Sequence, residues 1–297
     1  MKKGTAIVIS IVLVAGFVGL VFYGLRYSRG VPVVIEEKIK PVLEAPFLDK
    51  KIDLSKGIPE PIWKEIIPTE VELVYQVTVL PWPQKGLISP ITVKAFHNKK
   101  DIYFYISWMD STEDYILATN KFSDACAIMF PLGKKIEPKP STLLMGFLGS
   151  ANIWHWKASI DREFWLNPVR NAIVPGQENK IPNGVKDFPE DKAYVDFYYP
   201  FEKEETLVVS KDIPQSAVRD LLAIRVGTIT PKEKQQVEGK GVWNAGVWEV
   251  VFCSSLKPED DELEAIFYLG KKQYCAFAIW NGSKGDRGGK KSISDWV

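Results

Sequence analysis

Short apolar segments of alternating pattern, separated by polar turns, constrain the fold of this 297-residue chain more than any other feature. Residues 91–96 and 102–108 are rich in β-branched and aromatic side chains, which is typical of strands. The residues between them, 97–101, are polar and turn-forming, as hairpin loops usually are. The pattern therefore predicts two antiparallel strands joined by a tight turn.

Further segments of the same kind recur along the chain without regular helical alternation. They predict strands at residues 70–79, 124–130, 193–199, 222–228, 247–253, 265–269 and 274–280. Residues 175–192 and 230–240 read as long polar insertions, and residues 215–221 as a short helix. We therefore expect a mainly β fold, an antiparallel β-sandwich with long loops and a few short helices.

The N-terminus carries an uncharged run at residues 5–25, with lysines before it and arginines after it. This run is long enough for a membrane-spanning helix, which needs roughly 20 residues. A cleaved signal peptide is the alternative, but its apolar core is typically about 7–15 residues long. We expect a retained anchor, with stub 1–4 in the cytoplasm and the bulk of the chain on the periplasmic or extracytoplasmic side. Residues 26–69 would be a tether and lead-in, and residues 70–297 the folded domain.

Composition and cysteine spacing exclude several classes of protein. With 38 basic and 37 acidic residues, the chain has no net field of the kind that a nucleic-acid binder needs. Cys126, Cys253 and Cys275 form no CxxC pair and no CxxCH site, which excludes covalent haem attachment and a four-cysteine iron–sulfur cluster on this chain. We expect buried, small apolar cysteines, with one disulfide possible in an exported domain.

Enzyme signatures are absent from the sequence. There is no GxSxG or HExxH motif, and the glycine-rich tail has Lys290 where a phosphate loop requires its last glycine. Asp110 and Asp124 follow or precede apolar segments, so we expect them at strand ends, accepting hydrogen bonds from turn amides. These features favour a non-catalytic protein.

The stretch from residue 145 to 158 places a thioether, an imidazole and two indoles close together. Methionine is an established axial ligand of haem iron, although a lone methionine is more often core filler. Met145 is followed by a glycine that would let a flat ring approach, so we interpret the stretch as one wall of a haem pocket. Residues 274–282 and 285–294 would supply the opposite wall.

The two histidines of the chain receive different interpretations. His97 lies in a predicted turn and reads as a surface residue. In an alternating strand, His155 would face away from Trp154 and Trp156. We favour a hydrogen-bonded polar residue beside the pocket over an iron ligand for His155, because buried polar groups usually find partners.

Taken in order, several segments resemble the haem-b-binding γ subunit of ethylbenzene dehydrogenase. Similar subunits serve dimethylsulfide dehydrogenase, selenate and chlorate reductases, and nitrite oxidoreductases. The resemblance extends from about residue 70 to the C-terminus. The segments that carry it are AFHN (95–98), IYFYISWMD (102–110), DACAIMFP (124–131), MG (145–146), NIWHWKA (152–158), AFAIWNG (276–282) and KSISDW (291–296).

The resemblance implies a β-sandwich that holds one non-covalent haem b between a methionine and a lysine. The methionine would be Met145 and the lysine Lys291, with Lys290 as the alternative. The subunit would relay electrons without bond chemistry of its own, beside a molybdenum-containing catalytic subunit, an iron–sulfur subunit and an external donor or acceptor such as a cytochrome c. This sequence departs from the family pattern at Cys253 and Ser254, where the family often has a basic residue.

A function of a different class also fits the sequence. The chain has ten tryptophans, and exposed aromatic rings can stack on sugars. A haem-free carbohydrate-binding or adhesion β-sandwich is therefore the alternative. An absorption spectrum of the purified protein would separate the two hypotheses.

Overall fold

The computed structural model describes residues 41–76, 86–118, 120–133, 150–166, 214–224, 228–259 and 263–297. The predicted anchor at residues 5–25, Met145 and the predicted strand at residues 193–199 lie outside these ranges. The described helices are α1 (Glu60–Lys64) and α2 (Ala158–Leu166). The described strands are β1 (Thr69–Val71), β2 (Leu73–Tyr75), β3 (Ile91–His97), β4 (Asp101–Met109), β5 (Ala125–Pro131), β6 (Ala151–Lys157), β7 (Val218–Ala223), β8 (Ile229–Pro231), β9 (Glu238–Asn244), β10 (Val247–Ser255), β11 (Ala276–Trp280) and β12 (Ser292–Ser294).

These strands form two antiparallel sheets, which confirms the predicted mainly β fold. The five-stranded sheet has the order β1-β3-β4-β10-β9, and the seven-stranded sheet has the order β2-β12-β11-β5-β6-β7-β8. One apolar core takes side chains from both sheets, including Phe104 and Val250 from the first and Ile128 and Phe277 from the second. The sheets therefore pack face to face, each with an inner face on this core and an outer face away from it.

The hairpin predicted around residues 97–101 is confirmed. Strands β3 and β4 pair from Thr92 with Ser107 to His97 with Ile102. The Asn98 side-chain oxygen accepts hydrogen bonds from the backbone N–H groups of Lys100 and Asp101, at 3.0 and 2.7 Å. This local side-chain bonding stabilises the turn.

Three predictions about local structure are wrong. Residues 215–221 contain most of strand β7 instead of a short helix, and residues 265–269 are irregular instead of a strand. The polar insertion at residues 230–240 contains the end of β8 and the start of β9. In each case pairing or packing with distant segments decides the backbone conformation, and local sequence pattern does not report it.

The predicted strand from residue 70 is divided between the two sheets. β1 pairs with β3, and β2 pairs with β12 of the other sheet. Val71 and Leu73 both enter the shared core, so the alternation of the sequence is kept while the pairing partner changes. The chain thus crosses from one sheet to the other at this point.

The lead-in packs on the outer face of the five-stranded sheet. Ile52, Leu54, Trp63 and Ile66 are buried there against side chains of β3, β4 and β10. Within the residues that the structure describes, no helix is both long and apolar enough to cross a membrane.

Candidate functional site

Strand β6 separates the core from a second buried surface. Trp154 and Trp156 enter the shared core and so do not line the outer face, whereas His155 lies on the opposite face of the sheet, as the alternation predicts. Ile153 and Lys157 alternate with the tryptophans and share the face of His155. The outer face of the seven-stranded sheet therefore carries the polar members of the stretch singled out in the sequence.

Small apolar side chains cover the centre of this outer face. The buried cluster there contains Ala125, Ala127 and Ala223 together with Ile153, Leu221 and Trp280, and the partly buried Met129 and Ala278 pack against it. Alanine side chains project only a short distance from the sheet, so a flat apolar group could approach the backbone closely.

Strand register places Lys291 at one side of this surface. Ser292 pairs with Ile279, so the preceding Lys291 lies beside Trp280 at the ends of β12 and β11. Its amine nitrogen, Nζ, is 4.8 Å from the centroid of a Trp280 ring. Trp280 in turn pairs with Ala125, and Ala125 pairs with Lys157. Lys291 and Lys157 therefore occupy one row across four neighbouring strands.

The Lys291 side chain is buried without a polar partner. The residue is 8% exposed, and its amine makes no hydrogen bond or ion pair with any residue that the structure describes. Burial lowers the pKa of this amine to about 8. An amine with this pKa loses its proton more readily than an ordinary lysine, and the deprotonated amine can donate a lone pair to a metal.

Lys290 is placed differently from its neighbour. It is half-exposed, and its backbone pairs with Arg287 in a short bridge, where Arg287 N donates to Lys290 O at 3.1 Å. Burial raises the pKa of the nearby Asp286 carboxyl to about 6, and the charge of Lys290 offsets part of that rise. Of the two lysines in the tail, only Lys291 reaches the apolar outer face.

His155 lies on the outer face beside Trp280, the residue that Lys291 also contacts. Its ring centroid is 4.8 Å from that of Trp280, and its Nε2 is buried with no hydrogen-bond partner. Burial, followed by the charges of Lys157, Lys291 and Arg219, lowers its pKa well below the ordinary value. The imidazole is therefore neutral, and the partner expected for it is not found among the described residues.

Two further cations flank His155. Arg219 on β7 is its direct cross-strand partner, and Lys157 lies two positions along β6 on the same face. Burial and the charge of Arg219 lower the pKa of Lys157. Neither cation forms an ion pair with a carboxylate in the described part of the chain, although Glu163 lies near enough to Arg219 for that charge to offset part of the rise that burial causes in the pKa of Glu163. This side of the face is thus positively charged.

Two aspartates hold the segment that leads from β11 to Lys291: Asp110, which follows β4, and Asp124, which precedes β5. Asp124 Oδ1 accepts from the backbone N–H of Gly282 at 2.8 Å, and Asp110 Oδ2 accepts from Asn281 Nδ2 at 3.1 Å. Asp286 Oδ2 accepts from the backbone N–H of Asn281 at 3.2 Å. The prediction that Asp110 and Asp124 bond turn amides at strand ends is confirmed.

The other described candidates are not brought to this face. Met145 lies outside the described residues, so its placement stays a prediction. His97 ends β3, and its Nδ1 accepts from the backbone N–H of Lys99 at 3.2 Å. Cys126, Cys253 and Cys275 are free thiols. Within the described ranges no group of three or more His, Cys, Asp or Glu side chains could hold a metal ion.

Sequence reasoning missed Lys157 and Arg219. Lys157 could have been found from the alternation of β6, which puts it on the face of His155. Arg219 could not, because its placement depends on the register between β6 and β7. Together the face offers a low apolar surface, one lone-pair donor and several cations, a donor set that suits a flat metal-containing ring with anionic substituents.

These observations define a class, the antiparallel β-sandwich proteins. The particular family follows from comparison: the model of the family described as ethylbenzene dehydrogenase matches residues 60–292. The chain therefore belongs to the ethylbenzene dehydrogenase family. This confirms the resemblance to its haem-binding γ subunits.

A curated relative agrees with this assignment. The protein named "Putative respiratory nitrate reductase heme subunit ORF7" from Haloferax mediterranei is 25% identical over 236 residues, which cover 79% of this chain. The chain spans 64% of the length of that relative.

Two solved structures of sugar-binding proteins are similar in outline. One is a "putative carbohydrate-binding protein" from Bacteroides uniformis, with a TM-score of 0.42, 6% identity, and coverage of 86% of this chain and 90% of that chain. The other is a family 9 carbohydrate-binding module from Caldicellulosiruptor kristjanssonii in complex with cellotriose, with a TM-score of 0.39, 7% identity, and coverage of 86% and 82%. Scores this low say nothing about function.

Proposed function

We propose that this protein is the b-type cytochrome subunit of a molybdenum and iron–sulfur oxidoreductase complex, of the nitrite oxidoreductase or nitrate, selenate or chlorate reductase type. One haem b would be held on the outer face of the seven-stranded sheet, with Lys291 and Met145 as the axial ligands of its iron. The group would supply reversible one-electron exchange at the iron. The protein itself would do no bond chemistry.

The observation that carries this proposal is the Lys291 amine. A buried lysine usually has a carboxylate or other polar partner, because a desolvated, unpaired polar group is costly. Here the amine lies on Trp280 with no such partner in the described residues, within the segment that the family model matches. A metal would satisfy this lone pair, and the alanine-rich surface beside it would accept the apolar ring.

The same geometry supports Lys291 over Lys290 as the ligand. The Lys290 side chain is half-exposed beside Asp286, whereas Lys291 is buried on the apolar face. Met145 is proposed from its sequence setting and from the family. It lies close to β6 in the chain.

The partners and the location follow from the family and from the N-terminal run. The printed name of the Haloferax relative describes a haem subunit of a respiratory nitrate reductase. We infer a molybdenum-containing catalytic subunit and an iron–sulfur subunit as partners, with a cytochrome c or similar protein as the external donor or acceptor. Residues 5–25 would anchor the complex to the membrane, with residues 70–297 as the folded domain on the extracytoplasmic side.

The absorption spectrum of the purified full-length chain tests this function. We expect a Soret band and a reduced α-band after haem supplementation, and we expect Lys291→Ala and Met145→Ala each to change the reduced spectrum and the midpoint potential. Lys290→Ala is the matched control and should leave both unchanged. A wild-type protein that binds no haem would overturn the proposal and favour a haem-free binding module. A Lys290 variant that alone loses the spectrum would assign the ligand to Lys290.

A further inference from the structure

The cations at the β6 and β7 side of the outer face have no role in holding an iron atom. Arg219 pairs with His155 across the strands, and Lys157 shares their face. Burial lowers the pKa of His155 most, and the charges of Lys157 and Arg219 add to this effect. A neutral ring therefore lies beside two cations that are not proposed as iron ligands.

Lys157 is half-exposed and Arg219 is exposed to solvent, and no described residue balances their charge. Neither Lys157 nor Arg219 forms an ion pair with a described carboxylate. The Glu163 carboxylate interacts electrostatically with Arg219 and not with Lys157. The Nε2 of His155 is buried and lacks a partner. Buried polar atoms are rarely left unpaired, so an unpaired nitrogen beside uncompensated cations points to an anionic ligand.

The surroundings restrict the chemistry of that anion. The cations lie next to the apolar surface of Ala127, Ile153 and Leu221. A small hydrated ion would contact the cations but leave this apolar surface without a partner. A ligand that suits both parts is amphipathic, with a broad apolar body and charged groups at one side. Carboxylates are well matched, because guanidinium and ammonium groups bind them through charge-assisted hydrogen bonds.

The spacing along the sheet agrees with a ligand of porphyrin size. Lys291 and Lys157 lie in one row, three strand intervals apart through Trp280 and Ala125, which is about 14 Å at the usual strand spacing. Each long side chain can reach inward from its end of the row. Because haem iron lies at the centre of its ring, the metal and the carboxylates are closer together than this row is long, and the inward reach of both side chains makes up the difference.

We propose that His155, Lys157 and Arg219 form a carboxylate-binding site on the outer face of the seven-stranded sheet, and that it binds the two propionates of the haem. The inference rests on the proposed function for the identity of the ligand. His155 donates from its neutral ring, while Lys157 and Arg219 supply the countercharge. The site sets the orientation of the ring on the sheet, independently of the iron ligands.

Esterified haem tests the site, because it removes the carboxylate charges and leaves the metal and the ring unchanged. The full-length apoprotein is titrated with haem and with haem dimethyl ester, and dissociation constants are measured from the absorption spectrum and from tryptophan fluorescence. We expect the wild type to bind haem on the order of tenfold or more tightly than the ester. In the variant Lys157→Gln/Arg219→Gln this preference should fall toward one, while affinity for the ester stays unchanged.

The control is a second variant with the same loss of charge. Lys100→Gln/Arg162→Gln removes two exposed cations away from the face, one in the β3–β4 turn and one over the Tyr115 ring. It should keep the wild-type preference, and both double variants should keep the spectrum that the axial ligands produce.

The outcomes separate the two proposals. A wild type that binds neither compound would overturn the haem function itself. A wild type that binds haem, with the same preference over the ester in the Lys157→Gln/Arg219→Gln variant, would overturn the carboxylate site and leave the cytochrome function standing.

Discussion

Asp124 is the residue on which the geometry beside Lys291 depends most. Its two carboxylate oxygens accept three hydrogen bonds, from Gly282 N at 2.8 Å, from Asp114 N at 2.7 Å and from Trp248 Nε1 at 3.0 Å. The side chain thus ties β5 to the segment after β11 and to the core. Gly282 has no room for a side chain, because an added Cβ would lie 2.0 Å from the carbonyl oxygen of Phe122.

Replacing Asp124 by Asn should destabilise the protein. An amide has one acceptor oxygen, so at least one buried N–H donor would face the NH2 group and lose its partner, at a cost of about 1–3 kcal/mol. The shift of the urea midpoint measures this loss. Asp114→Asn is the control, since the side chain of Asp114 is partly exposed and, among the described residues, accepts only from the Thr112 hydroxyl, and it should change stability by no more than about 0.5 kcal/mol. Equal midpoints for the two variants would show that Asp124 does not organise this segment.

At the scale of the element, β9 illustrates how glycine sets the distance between the sheets. A Cβ added to Gly241 would lie 2.0 Å from Trp156 Cζ2, and one added to Gly239 would lie 2.4 Å from Val218 Cγ2. The Trp156 ring cannot move aside freely, because its Nε1 donates to Asp161 Oδ1 at 2.8 Å. The same oxygen accepts from Gly241 N at 2.8 Å. These two glycines therefore let the edge strand pack directly on side chains of β6 and β7.

Gly241→Ala should therefore lower stability by overpacking. Inserting a methyl group against a fixed indole typically costs about 1–3 kcal/mol, and near-ultraviolet circular dichroism should show a changed environment for Trp156. Glu238→Ala, at the exposed first position of the same strand, is the matched control and should leave both the urea midpoint and the spectrum near their wild-type values. An unchanged near-ultraviolet spectrum in Gly241→Ala would contradict this account of the packing.

Strand β7 shows why part of the fold could not be predicted from sequence. Its buried face carries Asp220, which is fully enclosed and bonds Asn152 Nδ2 at 2.6 Å and Lys232 Nζ at 2.9 Å. A charged residue at a core position breaks the alternation that indicates a strand, so residues 215–221 resembled a helix instead. By contrast, β3, β4 and β10 are uninterrupted segments rich in β-branched and aromatic residues, and their positions were predicted closely.

The candidate site was predictable to a similar extent. The alternation of β6 was enough to place His155 opposite the tryptophans, and the family resemblance pointed to Lys291. Lys157 and Arg219 became part of the site only through cross-strand register, a property of pairs of strands that no single segment carries. The apolar run at residues 265–269 shows the same limit, because Ala265 N bonds the Asn152 side chain instead of a neighbouring strand.

At the scale of the whole molecule, buried carboxyls dominate the electrostatics of the described domain. Burial raises the pKa of Asp124 and of Glu264 to about 7, and the pKa of Asp161 and of Asp286 to about 6. In the unfolded chain these groups have ordinary values near 4. The folded protein therefore binds more protons than the unfolded chain between about pH 4 and pH 7. By linkage, these four groups contribute stability that is present below pH 4 and is lost as the pH rises through 6 to 7.

The histidines oppose this trend only in part. Burial lowers the pKa of His155 well below its ordinary value and, more weakly, lowers that of His97. A neutral buried histidine makes the folded state gain stability as the pH rises through the unfolded pKa of about 6.5. Four raised carboxyls outnumber two lowered histidines. Lys291, with a pKa lowered to about 8, has its effect on stability at higher pH, between about 8 and 10.5.

The protein should consequently be more stable at pH 5 than at pH 7.5, the reverse of the loss that ordinary ion-paired carboxylates cause on acidification. Urea midpoints measured at constant ionic strength across this range test the sign. Asp286→Asn should flatten the profile, because it removes one of the four groups while an amide can still accept the 3.2 Å hydrogen bond from Asn281 N. Asp295→Asn, at an exposed position near the C-terminus, is the control and should leave the slope unchanged. A midpoint that rises steadily from pH 5 to pH 7.5 would show that these carboxyls are ionised in the folded state, held by their hydrogen bonds instead of protonated by burial.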